Sequence, residues 1–154
     1  TNTLQQIYSI PDSQIKHIHG NCFYDDDLRL GHDFKAGVSL NLSAGPDQDT
    51  RIAEAYDSID DFFGTTFKPV NEIINEESNY FLSLKDVDEV YVLGHSLASV
   101  DGIYFNKIKE SIKPHAQWKV ALYRDSKRVE QKSGHLEDYG INSSNIIFSY
   151  YEDL

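Results

Sequence analysis

The polar residues His95 and Ser96 follow an apolar, β-branched run, 90–93, and are separated from it by Gly94. Such a run predicts a buried parallel strand, and a glycine can turn the chain sharply after it. Asp101 then falls in the first turn of a predicted helix, where the helix dipole favours a carboxylate. Since open α/β folds bind ligands where parallel strands end, we expect these four polar or turn residues to line a binding site.

Two further histidines stand near glycines earlier in the chain. His19 precedes Gly20 at the end of a strand candidate, Ile15 to His19, and His32 lies in a long irregular stretch. An imidazole that is neutral near pH 7 suits a general base. We therefore take His19, His95 and Ser96 as candidate catalytic residues, and Gly20, His32, Gly94 and Asp101 as candidate ligand-binding residues. The plainer interpretation of each histidine is a hydrogen-bonded structural side chain.

The sequence contains residues that can bind metal ions, but they do not have the spacing of a known metal site. His17 and His19 share one face of the strand candidate, but no cysteine or carboxylate completes a site at a recognised spacing. The acidic run 25–27 lacks the spaced ligands of a calcium loop. Cys22 is a lone thiol that we take as structural. The sequence therefore predicts no metal site.

The chain has 154 residues, a net charge of −11 and a hydrophobic fraction of 40%. These values predict one globular domain over residues 1–154. The acidic charge argues against nucleic-acid binding, and no apolar run of about 18 residues indicates a membrane span. A single cysteine fits the reducing cytoplasm. Because residue 1 is Thr and methionine is absent, we expect a part of a longer protein.

Apolar runs alternate with helical patterns along the chain. Helices are predicted from Asp49 or Thr50 to Gly64, after Pro69, from about Ser99 to Ile112, and from Asp125 or Ser126 to Gly140. Strands are predicted at 15–19, 90–93, 118–123 and 146–148. Alternating elements of this kind predict a three-layer α/β fold with a mainly parallel sheet of about four strands.

The segment from Gly94 to Ala98 comes close to a nucleophile elbow, in which a serine is exposed between a strand and a helix. Ala98 replaces the last glycine of that motif, which weakens the match. Asp125 and His135 follow in the order of a triad, but both stand on one predicted helix. A serine hydrolase with Ser96 as nucleophile is therefore the third hypothesis, and the plainer interpretation is that Ser96 helps to cap a helix.

Several short motifs together resemble the AbiH family of bacterial abortive infection proteins. Those motifs are Thr1-Asn2-Thr3-Leu4, Ile18-His19-Gly20, Gly31-His32, Leu93-Gly94-His95-Ser96-Leu97, Asp101 and Tyr104-Phe105. The family also shows an earlier strand and a glycine-rich loop that this sequence lacks. The resemblance therefore implies the C-terminal portion of such a protein, with the missing N-terminal part as its partner.

The resemblance extends loosely to sirtuin-like and Rossmann-like NAD-binding folds. It implies that His19 is the base beside a ribose hydroxyl and that Gly94, His95 and Ser96 line the nucleotide. The four spaced cysteines of the sirtuin zinc module are absent, so lysine deacetylation is not expected. We expect a cytoplasmic anti-phage protein that binds a nucleotide, with NAD as the candidate cofactor and NAD hydrolysis as the candidate activity. The alternative is a non-catalytic sensing or assembly module, and the oligomeric state stays open.

Overall fold

The computed structural model describes residues 3–21, 28–29, 31–32, 39–41, 45–123 and 129–153. The chain divides into two compact units, Thr1–Ile73 and Ile74–Leu154, and each is described by itself. Whether the two units form the single domain expected for residues 1–154 stays a prediction. The predictions for Cys22, for the acidic run 25–27 and for a helix start at Asp125 or Ser126 fall outside the described residues.

The first unit contains helices α1 (Thr3–Tyr8) and α2 (Thr50–Thr65), and helix α3 (Val70–Glu76) runs across the boundary between the units. Helix α2 begins after Asp49, whose carboxylate accepts a hydrogen bond from the N–H of Arg51 at 2.9 Å. This contact satisfies one of the N–H groups that have no partner within the helix, as expected for an aspartate at this position. The predicted helix is confirmed.

The strand predicted at Ile15 to His19 is wrong. Ile15 is extended, with φ −115° and ψ 123°, after a short 3-10 turn at Asp12–Gln14. The N–H of Gly20 then donates to the carbonyl of His17 at 3.1 Å, which closes a turn. A strand needs a neighbouring strand for its hydrogen bonds, and among the described residues none pairs with this segment.

The second unit contains a parallel sheet of three strands, β1 (Glu89–Val92), β2 (Gln117–Leu122) and β3 (Ile146–Tyr150), in the order β1-β2-β3. Helix α4 (Ser78–Ser83) precedes the sheet, α5 (Gly102–Ser111) connects β1 to β2, and α6 (Val129–Asp138) lies between β2 and β3. The α/β class and three of the four predicted strands are confirmed. None of the described helices has the length and the apolar character of a membrane span.

One face of the sheet carries the core of this unit. Trp118 and Val120 of β2 are 2% and 0% exposed, and they belong to one cluster with Phe105 of α5 and Leu136 of α6. Because the strand order follows the chain order, right-handed crossovers place both connecting helices on the same face. The described residues of the second unit, taken by itself, therefore show a helical layer on one face of its sheet rather than on both.

The opposite face of the sheet carries a polar cluster. Lys119 Nζ lies 2.8 Å from Glu89 Oε1 and donates to the Tyr91 hydroxyl at 2.9 Å, and that hydroxyl donates to Glu89 Oε2 at 2.9 Å. Hydrogen bonds from Lys119 and Tyr91 lower the pKa of the Glu89 carboxyl. The hydrogen bond to Glu89, and after it the hydrogen bond to Tyr91, raises the pKa of the Lys119 ammonium group. The cluster joins β1 to β2 through side chains as well as through the backbone.

Replacing Lys119 with methionine tests this cluster. We expect the pKa of Glu89 to rise toward its ordinary value of 4.5, measured by NMR titration of the side-chain carboxyl. A carboxyl group whose pKa is lower in the folded state than in the unfolded state stabilises the fold at pH values above its unfolded pKa. This contribution is lost as the pH falls through the folded pKa. Urea unfolding should therefore separate wild type from Lys119→Met at pH 7 and bring them together in acid, whereas an unchanged Glu89 titration would contradict the contact.

Two helical glycines give a matched test of packing. An added Cβ at Gly102, the first residue of α5, would overlap the ring of Tyr139, whereas one at Gly134 in α6 would meet nothing within 4 Å. We expect Gly102→Ala to lower the free energy of unfolding by about 1–3 kcal/mol, the usual cost of overpacking. Gly134→Ala should raise it by about 0.5–1 kcal/mol, because alanine is the better helix former. Equal stabilities in urea would contradict the close approach of Tyr139.

Candidate functional site

The turn after β1 contains two residues in the left-handed region of backbone conformation. Gly94 has φ 66° and Leu97 has φ 59°. Glycine adopts this conformation without strain, as expected at Gly94, but a leucine does so at a cost of about 1–2 kcal/mol. The Leu97 side chain is 0% exposed and lies in the core cluster. Burial of this side chain therefore offsets the backbone strain and fixes the path of the turn.

His95 is held in one orientation inside this turn. Its Nδ1 accepts a hydrogen bond from the N–H of Leu97 at 2.9 Å. Because a backbone N–H can only donate, Nδ1 carries no proton in the neutral ring, and the proton lies on Nε2. Nε2 in turn faces Asp101 Oδ2 at 3.4 Å, and the ring packs edge-on against Phe105 at 5.0 Å. His95 and Asp101 thus form a pair whose side chains are 35% and 22% exposed.

Three side chains from later parts of the chain hold the backbone of the turn. The Tyr151 hydroxyl accepts from the N–H of Gly94, and Lys132 Nζ of α6 donates to the carbonyl of His95 at 2.9 Å. The Tyr139 hydroxyl donates to the carbonyl of Leu97 at 2.9 Å, in a buried position. The turn is therefore preorganised by contacts at three of its residues, Gly94, His95 and Leu97.

The Tyr139 ring also stacks on Phe105, with centroids 5.8 Å apart and planes 18° from parallel. Burial raises the pKa of the Tyr139 phenol, and the negative charges of Asp101 and Asp138 add to the shift. The hydroxyl therefore keeps its proton well above neutral pH and remains a donor to Leu97. Tyr139 therefore supports the turn through its hydrogen bond to Leu97 and its stacking on Phe105.

Ser96 lies in the turn, but not with the geometry of a nucleophile elbow. Its hydroxyl accepts from the N–H of Ala98 at 3.4 Å, a local contact that stabilises the turn before the helix. In an elbow the serine itself occupies the strained position, whereas here the strained residue is Leu97. Both ring nitrogens of His95 face other groups, Leu97 N–H and Asp101, so its imidazole is not aimed at the Ser96 hydroxyl. This geometry gives the serine hydrolase hypothesis no support.

The other predicted site residues, His19, Gly20 and His32, belong to the first unit. The carbonyl of His19 accepts from the N–H of Arg29 at 2.9 Å, and Gly20 has φ 80° in the turn that follows. Their meeting with His95 in one site stays a prediction.

His32 is anchored beside the end of α2. Its Nε2 lies 2.9 Å from Thr66 Oγ1, and its ring packs edge-on against Phe63 at 4.6 Å. The N–H of His32 donates to the carbonyl of Thr66 at 3.3 Å, and its carbonyl accepts from the N–H of Lys68 at 2.9 Å. An added Cβ at the neighbouring Gly31 would overlap the carbonyl of Thr66, so glycine is required for this close approach. These contacts give His32 a structural task in the first unit.

Sequence reasoning located the turn but missed the residues that hold it. Lys132, Tyr139 and Tyr151 lie 37, 42 and 57 residues from their partners in the chain. One signal was available: Tyr123 and Tyr151 follow the ends of β2 and β3, at the same edge of the parallel sheet as the turn. Their rings contact each other at 4.9 Å.

The fold and the site define a class of protein: a parallel α/β protein with a partly exposed histidine–aspartate pair at the carboxyl edge of its sheet. Among the described residues, no group of three histidine, cysteine or acidic side chains is placed to hold a metal ion. The family model described as bacteriophage abortive infection AbiH matches residues 1–122, about four-fifths of the sequence. The chain belongs to the AbiH family, and this membership indicates a role in abortive infection of bacteriophage. No curated protein and no solved structure matches the chain.

The protonation of His95 is directly measurable. For the neutral form of the His95 imidazole, we expect ¹⁵N NMR to show the proton on Nε2 and an unprotonated Nδ1, because Nδ1 accepts a hydrogen bond from the N–H of Leu97. Exposed His115 serves as the control and should show exchange between both tautomers. A proton on Nδ1 of His95 would contradict the arrangement of the turn.

Proposed function

We propose that this chain is the part of an anti-phage protein that binds a nucleotide and takes part in hydrolysis of NAD. The observation that carries the proposal is the pair of His95 and Asp101 at the carboxyl end of β1, with Nε2 and Oδ2 3.4 Å apart. Ligands of open parallel α/β sheets bind at this edge. The resemblance to sirtuin-like and Rossmann-like folds supports NAD as the nucleotide and His19 as a further base.

The polar groups of the turn favour a sugar over a phosphate. The N–H groups of Gly94, Leu97 and Ala98 already donate to Tyr151, His95 and Ser96, so they do not form an open cradle for an anion. The negative carboxylate of Asp101 stands at the start of α5, where a phosphate would otherwise be attracted. A carboxylate accepts hydrogen bonds from hydroxyl groups, so Asp101 suits the ribose of a nucleotide.

Hydrolysis of NAD at such a site needs few groups. The bond between nicotinamide nitrogen and ribose C1′ breaks, nicotinamide leaves with the bonding electron pair, and a water oxygen bonds to C1′ and releases a proton. An imidazole near the ribose can accept that proton, and a nearby carboxylate can stabilise the positive charge that develops on the sugar. The proposal assigns Asp101 to the ribose and the proton transfer to the histidines, with Ser96 and Gly94 beside the ligand.

Nicotinamide release by the protein incubated with NAD tests this proposal. We expect His95→Gln and Asp101→Asn to lower the rate by about 10²–10⁴-fold, the usual contribution of acid–base groups. His115→Gln, an exposed histidine in a turn of the same unit, is the matched control and should keep the wild-type rate. His19→Gln tests the base assigned by resemblance. Absence of release by the wild-type protein, or release unaffected by Asp101→Asn, would end the enzymatic part of the proposal.

A second candidate, a non-catalytic assembly module, is supported by helix α2. Ile52, Ile59 and Phe62 on this amphipathic helix are 50%, 42% and 58% exposed, and none of its residues is buried. Apolar side chains left exposed together mark surfaces that contact other proteins.

Analytical ultracentrifugation of the wild-type protein and of Phe62→Glu tests this second candidate. If the chain assembles through α2, the wild type sediments as an oligomer and the substitution returns it to the monomer. A wild type that stays monomeric at all concentrations argues against self-assembly.

A further inference from the structure

A cavity of about 350 Å³ lies in the second unit, away from the turn after β1. It is lined by the connection from α5 to β2 and by the connection from α6 to β3, which lead into the amino ends of these two strands. The strands are parallel, so this is the opposite end of the sheet from Gly94 and His95. Its volume falls at the small end of the range for ligand sites, roughly 300–1,000 Å³.

The inner wall of the cavity is apolar and buried. Ile112, Ala116, Trp118 and Ile141 line it, and each is between 2% and 8% exposed. All four belong to the core cluster of this unit. A ligand with an apolar body would therefore meet a preformed surface, which reduces the entropy lost on binding.

The rim of the cavity is polar and carries two lysines, Lys109 and Lys113, and one acidic side chain, Glu110. Lys113 Nζ is paired with Asp88 Oδ2 at 3.1 Å, outside the cavity lining. Lys109 reaches across to Gly140, where an added Cβ would lie 3.6 Å from its Nζ. Within the described residues Lys109 has no ion-pair partner, so its charge remains available at the rim.

Two asparagines complete the rim on the side of the α6–β3 connection. Asn142 accepts from the N–H and the hydroxyl of Ser144 through its Oδ1, at 3.0 and 2.9 Å. Asn145 makes a long contact of 3.5 Å from its Nδ2 to the carbonyl of Pro114. Their side-chain amides therefore retain donor capacity for a ligand's oxygen atoms. The rim therefore combines the ammonium groups of two lysines with amide donors. This local positive charge contrasts with the net charge of −11 of the whole chain.

We propose that this cavity is a second binding site, which takes a small organic anion with an apolar body, such as an aromatic carboxylate or a nucleoside monophosphate. The apolar body lies against Ile112 and Ile141, and the anionic group faces Lys109, with Asn142 and Asn145 as donors. The site is separate from the turn after β1 and does not depend on the proposed hydrolysis of NAD.

Trp118 is the only tryptophan in the sequence, so its indole N–H gives a single NMR signal at the cavity wall. We expect benzoate at millimolar concentration to shift this signal and the side-chain amide signals of Asn142 and Asn145. Benzamide has the same shape without the charge and should bind more weakly. A parallel titration with AMP and adenosine distinguishes a nucleoside monophosphate from a simple aromatic carboxylate as the preferred anion.

Lys109→Gln is the decisive variant, and Lys107→Gln on the same helix but outside the cavity lining is its matched control. We expect Lys109→Gln to weaken benzoate binding about fivefold, which corresponds to about 1 kcal/mol, and Lys107→Gln to leave it unchanged. Neither substitution touches the core, and dispersed amide spectra verify folding. Absence of a Trp118 shift with both benzoate and AMP, equal binding of the charged and neutral probes, or equal effects of the two substitutions would overturn the proposal.

Discussion

Strand β2 is the element on which the second unit depends, because it is the only strand here that pairs on both sides among the described residues. Its side chains also supply Trp118 and Val120, which are almost fully buried between the sheet and the helices. Truncating a buried tryptophan typically costs about 3–5 kcal/mol. That is a large fraction of the roughly 5–15 kcal/mol by which a domain is stable. The hydrogen-bonded register and the apolar core therefore rest on the same six residues, Gln117–Leu122.

The candidate site is an extension of this core rather than a separate loop. Leu97 is buried in the core cluster, and its strained backbone directs His95 toward Asp101. Phe105 contacts His95 on one side and stacks on Tyr139 on the other, so core packing and site geometry share one aromatic ring. A rigid support of this kind keeps an acid–base pair in place without a ligand, which is the property that preorganised sites require.

The sequence was sufficient where a local pattern decides the structure. The apolar runs predicted the three strands of the sheet, Asp49 marked the start of α2, and Gly94 marked the turn. It failed at Ile15 to His19, because five alternating residues become a strand only beside a partner, which no local pattern supplies. The contacts of Tyr139 and Tyr151 were beyond reach for a related reason: they join residues 42 and 57 positions apart. The left-handed Leu97 has no sequence signal, because leucine seldom adopts that conformation.

The distance along the chain between Gly94 and Tyr151 has a consequence for protein synthesis. The turn leaves the ribosome 57 residues before the tyrosine that accepts its first N–H. At about 5–20 residues per second, roughly 3 to 11 s pass before that partner is even translated. During this interval β1 and α5 can form, but β3, which carries Tyr151 into place, cannot yet pair. The turn therefore lacks one of its three long-range contacts until Tyr151 has been translated, and a product truncated before that residue would keep His95 and Asp101 without it.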